Sequence, residues 1–196
     1  MGVTRERFEQ GMTYDEYKSQ MTRNREKFEE NERTVVLPPA DLDAFRNARP
    51  LHVLVLTEDW CGDALANVPT LGRIAREAGN LDLRVFLRDQ NEDLTTQFMN
   101  GEYRSIPVFA FFDDQFREVG RWIERPAAVT ELRKKRRAEV FVSDPRFGSV
   151  DAPADQLPDG VRGDLTAALQ KMRDEMRPFA DGEVVRELKE IVARAA

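Results

Sequence analysis

Apolar and polar positions alternate in three distinct regimes along the 196 residues, and each regime predicts different elements. From residue 1 to 37, Tyr14, Tyr17, Met21 and Phe28 recur at roughly helical spacing, which predicts a helical arm. Thr13 followed by Glu16 has the form of a capping box. Pro38-Pro39 breaks the pattern, and Asp41 to Ala48 predicts a short helix ended by Pro50. From 51 to 138 the rhythm changes. Short apolar runs at Leu51–Leu56, Leu81–Leu87, Val108–Phe112 and Phe116–Ile123 predict strands. Amphipathic stretches at Gly62–Ala78, Glu92–Asn100 and Ala127–Ala138 predict helices. Asp113-Asp114-Gln115 joins the last two strands as a hairpin-like connection.

Helical crossovers imply parallel pairing in the first half of this region, and the hairpin implies antiparallel pairing in the second. The expected fold class is therefore α/β, with a mixed four-stranded sheet carrying helices on both faces. Residues 1–50 form a helical N-terminal extension and 139–196 a linker with C-terminal helices packed on the 51–138 domain. In that tail Ser143-Asp144-Pro145, Ala152-Pro153 and Pro158-Asp159-Gly160 are turn chemistry. Leu165, Leu169, Met172 and Met176 line one amphipathic helix, and Val184, Leu188, Ile191 and Val192 a second, with Pro178 between them.

Composition narrows the class of function. Hydrophobic residues make up 41% of the chain, enough for a core, while charged residues at 34% and a mean hydropathy of −0.58 give a highly charged surface. A net charge of −6 disfavours a general nucleic-acid binder. No apolar stretch approaches the roughly 20 residues of a membrane span, and the N-terminus has neither an apolar signal core nor the myristoylation pattern. One cysteine and no export signal point to the reducing cytoplasm.

That cysteine lies in Trp60-Cys61-Gly62-Asp63-Ala64, at a strand-to-helix junction where helix N-terminal amides favour a thiolate. Since it is alone, no disulfide forms within one molecule. Asp63 opposes ionisation: a carboxylate about 7 Å away at an effective dielectric of about 20 costs a thiolate roughly 2 kcal/mol before screening. Glu58 and Asp59 add negative charge. The single histidine, His52, is five residues back along the strand, roughly 17 Å from the loop, which leaves no Cys-His dyad. Cys61 with Glu58, Asp59 and Asp63 offers one soft and three hard ligands, a poor zinc set, so neither a metal nor another cofactor is expected. Arg133 to Arg137 reads as a dipole-matched, solvated end of the last core helix. Trp122 falls on one strand face with Gly120, as core or as a wall of the Cys61 groove, and Arg121 and Arg125 are candidate sources of positive charge there.

These features, taken in order, resemble the thioredoxin superfamily. Trp60-Cys61-Gly62 matches the start of its redox loop, and Pro69 the kinking proline of the helix behind it. Arg88-Asp89-Gln90-Asn91 matches an Asp-Gln-Asn turn, Ser105-Ile106-Pro107-Val108 the cis-proline signature, and Gly120 a glycine that admits a substrate backbone. The helical extensions, Met12-Thr13-Tyr14 and Gly120-Arg121-Trp122-Ile123-Glu124-Arg125-Pro126 are similar to those of a bacterial thioredoxin-like group of about this length. A trans proline starting a strand is the ordinary reading of Ser-Ile-Pro alone; the resemblance implies a cis Pro107 facing Cys61, with the Ile106 backbone free to pair with a substrate. The departures are Ala64 in place of the second thiol and Val55 in place of the buried acid that serves it. Acidic flanks disfavour a monothiol glutaredoxin, and Glu58 stands where a peroxiredoxin needs threonine.

The resemblance thus implies thiol-disulfide exchange through Cys61, with Trp60, Gly62 and Asp63 in the active-site loop and Ile106, Pro107 and Gly120 binding the substrate. The partner is a thiol or disulfide, protein or low-molecular-weight, and a mixed disulfide must await an external thiol. Two alternatives stand beside it. One is a peptide- or protein-binding module on the same fold without chemistry; the other is a homo-oligomer formed through the terminal helices.

Overall fold

The computed structural model describes residues 2–195. Four strands form one sheet: β1 (Leu51–Thr57), β2 (Leu81–Leu87), β3 (Val108–Phe112) and β4 (Glu118–Ile123), in the order β2-β1-β3-β4. β1 pairs parallel with β2, which the intervening helix requires, and antiparallel with β3; β3 and β4 are antiparallel. The mixed sheet with helices on both faces is the expected one.

The two central strands are apolar but for His52 and Thr57 of β1, because both their faces are covered. Val53, Val55, Phe109 and Phe111 meet Val68, Leu71 and Ile74 of the long helix after β1, together with Tyr17, Phe28 and Phe45 from the N-terminal region and Val184, Leu188, Ile191 and Val192 from the C-terminal one. Leu54, Leu56, Val108, Ala110 and Phe112 face the other way, onto Val3, Phe8, Leu94 and Phe98. Neighbouring residues in a strand point to opposite faces, so β1 and β3 each feed two cores.

The expected arm over 1–37 is three short helices rather than one, α1 (Arg5–Glu9), α2 (Tyr14–Gln20) and α3 (Arg25–Thr34), and the separate short helix expected over Asp41 to Ala48 is α4 (Pro39–Arg46). Thr13 makes the expected capping box with Glu16 at the start of α2. α5 (Gly62–Ala78) and α6 (Glu92–Gln97) follow β1 and β2, and α7 (Ala127–Ser143) and α8 (Asp159–Val192) follow the sheet. Residues up to Arg125, with those from Val184 onward, form one compact unit; Pro126–Glu183 form a second. Within the second, Phe141, Phe147 and Leu165 make a small apolar cluster, and Arg136 of α7 pairs with Glu175 of α8.

Three expectations are corrected. Pro178 does not separate two helices; α8 runs through it. A proline removes one backbone donor, and buried Met176 and Asp181 hold the helix on either side. The Arg133–Arg137 run is not a helix end, because α7 continues to Ser143; Arg136 is bound to Glu139 and Glu175, and Arg137 lies over the Phe141 ring. β4 starts at Glu118 rather than Phe116. Phe116 is used by the turn, with φ of 58°, while the Asp113 carboxylate accepts from the backbone of Gln115 and Arg117.

Candidate functional site

β1 ends at Thr57, and four residues later Cys61 caps the N-terminus of α5 with extended backbone. The intervening loop is fixed on both sides. The Cys61 N–H donates to the Glu58 carbonyl at 3.3 Å. Glu58, only 7% exposed, accepts from the Asp89 N–H at 2.8 Å. Asp59 holds the N-terminal region to the loop: one carboxylate oxygen accepts from the Thr22 N–H (2.8 Å), the Thr22 hydroxyl (3.1 Å) and the Arg23 N–H (3.0 Å). Asn24 donates to the Asp59 carbonyl at 2.8 Å. Two of the three carboxylates near Cys61 are therefore engaged in building the loop. Trp60 is 43% exposed beside the cysteine, with the Arg88 guanidinium 5.0 Å from its ring centre.

Opposite Cys61 stands the start of β3. The Ile106-Pro107 bond is cis, and the Cys61 thiol donates to the Ile106 carbonyl at 3.5 Å. The Pro107 carbonyl accepts from the Glu124 N–H at 2.7 Å. Glu124 has φ of 66°, uncommon for a residue with a side chain. Its carbonyl accepts from Asn67 of α5 at 2.8 Å. α5, the cis-proline turn and the end of β4 are thereby tied together around the sulfur.

Asp63 does not face the cysteine unopposed. Arg125 holds it with two guanidinium nitrogens, Nε at 2.9 Å from Oδ1 and the other on Oδ2, and also reaches Glu124. The paired carboxylate, with Glu124 and a nearby Cys61, raises the arginine's pKa. For the thiol, burial is the largest influence and pushes its pKa up. The backbone N–H groups of Ala64 and Asp63 favour the thiolate, the Asp63 charge disfavours it, and Arg88 favours it. Burial thus outweighs the helix terminus, an effect sequence alone does not weigh. Burial likewise raises Glu58. Removing Arg125 is expected to leave Asp63 uncompensated. In Arg125→Ala the midpoint of Cys61 alkylation by iodoacetamide, followed by intact mass against pH, should rise by about one unit. An unchanged midpoint would mean that solvent already screens Asp63.

Cys61, Trp60, Gly62, Asp63, Ile106 and Pro107 lie at this one edge. A Cβ on Gly62 would meet nothing within 4 Å, so the space beside the cysteine is open. Ala64 is buried in the core, 1% exposed, and Val55 lies wholly buried beneath. Gly120 stands apart. A Cβ there would come within 3.1 Å of Ile191, so α8 occupies the room a substrate backbone would need. Trp122 is core: it stacks on Phe109 at 4.8 Å and donates its indole N–H to Glu187 at 2.7 Å. Arg121 pairs with Glu118 and lies over Phe98. His52 stacks on Phe116 and contacts Asp82 at 3.3 Å, away from the thiol. Among the described residues no group of three or more His, Cys, Asp or Glu side chains is arranged to hold a metal ion, and no helix is long and apolar enough to cross a membrane.

A cysteine capping the helix after the first parallel strand, opposite a cis proline that opens an antiparallel strand, defines a thioredoxin-like fold. The thioredoxin family model matches residues 11–138, and the chain belongs to that family. Two solved structures share the fold. A protein of unknown function from Pseudomonas aeruginosa is 20% identical with a TM-score of 0.69, each chain covered in full. An HIV epitope-scaffold is 21% identical with a TM-score of 0.65 over 96% of each chain. No curated protein matches the sequence.

Proposed function

We propose that this protein captures thiols by single-cysteine disulfide exchange in a reducing compartment. The Cys61 thiolate attacks a disulfide, a new bond forms between its sulfur and one partner sulfur, and the other partner leaves as a thiolate. The Ile106 backbone and Pro107 hold the captured partner, with Trp60 beside it. A second thiol, from solution, then attacks the captured sulfur and expels Cys61. The observation that carries this reading is the half-buried Cys61 at the N-terminus of α5, against the Ile106 carbonyl, with Ala64 where a resolving thiol would stand.

The direction of the thiol's shift sets the character of the reaction. A raised pKa leaves little thiolate at neutral pH, so attack is slow; it also makes Cys61 a poor leaving group. Slow entry and slow exit suit a long-lived adduct better than a rapid reductase. Incubation with glutathione disulfide is expected to give a single mixed-disulfide adduct by intact mass, lost entirely in Cys61→Ser. Adduct formation by the serine variant would sink the proposal.

The half-buried, raised thiol also favours a second reading, a module that binds an extended peptide along the Ile106 edge without chemistry. On that reading a peptide retained by the wild type is retained equally by Cys61→Ser.

A further inference from the structure

Arg88 opens the turn after β2, and the exchange chemistry proposed above makes no use of it. Its backbone is held from behind, where the Thr95 hydroxyl of α6 donates to its carbonyl at 2.9 Å. Its side chain, 19% exposed, reaches three segments at once. Nε donates to the Asp89 carboxylate at 2.9 Å, and Nη2 lies 2.8 Å from the same oxygen. Nη1 donates to the Arg104 carbonyl at 3.1 Å. The guanidinium carbon lies over the Trp60 ring, 5.0 Å from its centre.

Those segments shape the groove. Trp60 immediately precedes Cys61. Arg104 lies two residues before Ile106, whose carbonyl accepts from the thiol. The Asp89 N–H holds Glu58 of the cysteine loop. Residues 101–104 are exposed, and the Asn100 and Tyr103 backbones bond to each other rather than to a neighbouring strand. Among the described residues, the polar ties of 101–104 to other elements are Arg88 on the Arg104 carbonyl and the ion pair of Arg104 with Glu92. The second is an exposed pair, a class that contributes little.

We propose that Arg88 is a positioning residue for partner capture: lying over Trp60 and bonding the Arg104 carbonyl, it holds the two walls of the Cys61 groove at a fixed separation, so that an extended partner is gripped between Trp60 and the Ile106 backbone. The proposal rests on the reading of Cys61 and Ile106 as the capture site. The side chain suits the task. A guanidinium is planar, carries its donors in a rigid fork and packs on aromatic faces, so one arginine serves a carboxylate, a carbonyl and a ring together. Lysine concentrates its charge on one atom and cannot span all three. Trp60 needs such a hold, because its ring is 43% exposed. A ring free to turn has to be ordered when the partner binds, at a cost in affinity. A clasp set beforehand removes that cost.

The test compares two reactions of Cys61 in Arg88→Lys and Arg88→Gln. One is mixed-disulfide formation with glutathione disulfide; the other is alkylation by iodoacetamide, which is too small to need the groove. Both consume the thiolate, so the ratio of their rates cancels any change in its population. Each ratio is taken on one folded sample, so a loss of stability does not imitate the result. The ratio should fall by about tenfold in both variants, the scale of a modest loss of orientation. Trp60 emission should move to the red and quench more readily with acrylamide, while Trp122, at 5% exposure, contributes little to the change. Ratios within about twofold of the wild type in both variants would overturn the proposal. So would a wild-type ratio in Arg88→Lys alone, which would assign the effect to charge rather than to the clasp. A wild type that forms no adduct defeats the exchange reading by itself; the clasp is then judged on Trp60, and unchanged emission and quenching in both variants would overturn it.

Discussion

Ala64→Cys is expected to turn a long-lived mixed disulfide into a self-releasing one. Ala64 sits three residues after Cys61 on the first turn of α5, on the side packed into the core. A thiol there shares the helix turn with Cys61 and attacks it from within the molecule. Such a reaction gains an effective concentration no thiol in free solution reaches, and the adduct lifetime without added reductant should fall by roughly 100-fold or more. The product is an intramolecular disulfide, read by intact mass together with the freed thiol. Val55 limits the gain, because no buried base stands ready to take the new thiol's proton. An adduct as persistent as that of the native chain would show that the 61–64 geometry forbids attack.

The largest stability effect is expected at Phe109. It is fully buried in β3, opposite Val55 on β1 and Trp122 on β4, and its ring stacks on Trp122 with an interplanar angle of 13°. Neighbours on three elements leave little freedom for collapse into the gap. Phe109→Ala should therefore cost about 3–5 kcal/mol, the transfer energy of the ring plus the cavity left behind. That is a large share of the roughly 5–15 kcal/mol of a typical domain. Urea unfolding followed by tryptophan fluorescence should show a lower midpoint at unchanged slope. A loss under about 1 kcal/mol would mean that Trp122 and α8 close the space.

The sheet was legible because its strands are short apolar runs between turn residues, and the Cys61 loop and Pro107 were legible because their motifs are local. What escaped was everything made by distant pairs. Asp63 looked like a threat to the thiolate, and only the fold brings Arg125, 62 positions away, onto it. Asp59 looked like surplus charge until the backbone of Thr22 and Arg23 reached it. Gly120 was assigned to a substrate on motif alone; nothing in its surroundings in sequence announced Ile191. Pro178 misled for the opposite reason, since a local rule gave way to burial on either side. Burial itself decides the thiol's shift, and burial has no local signature.

Lys189 reaches Asp41 across 148 positions, and Val184 to Val192 complete the apolar face shared by β1, β3 and α5. That face cannot close until this last part of α8 has left the ribosome. At roughly 5–20 residues per second, the interval after β4 emerges is on the order of ten seconds. Throughout it, Trp122 and Phe109 lack one of their covers, and contacts of such long span form slowly. The nascent chain is thus most vulnerable to aggregation in this interval, when all four of its strands are already made, and a chaperone that shields β4 would serve it best then.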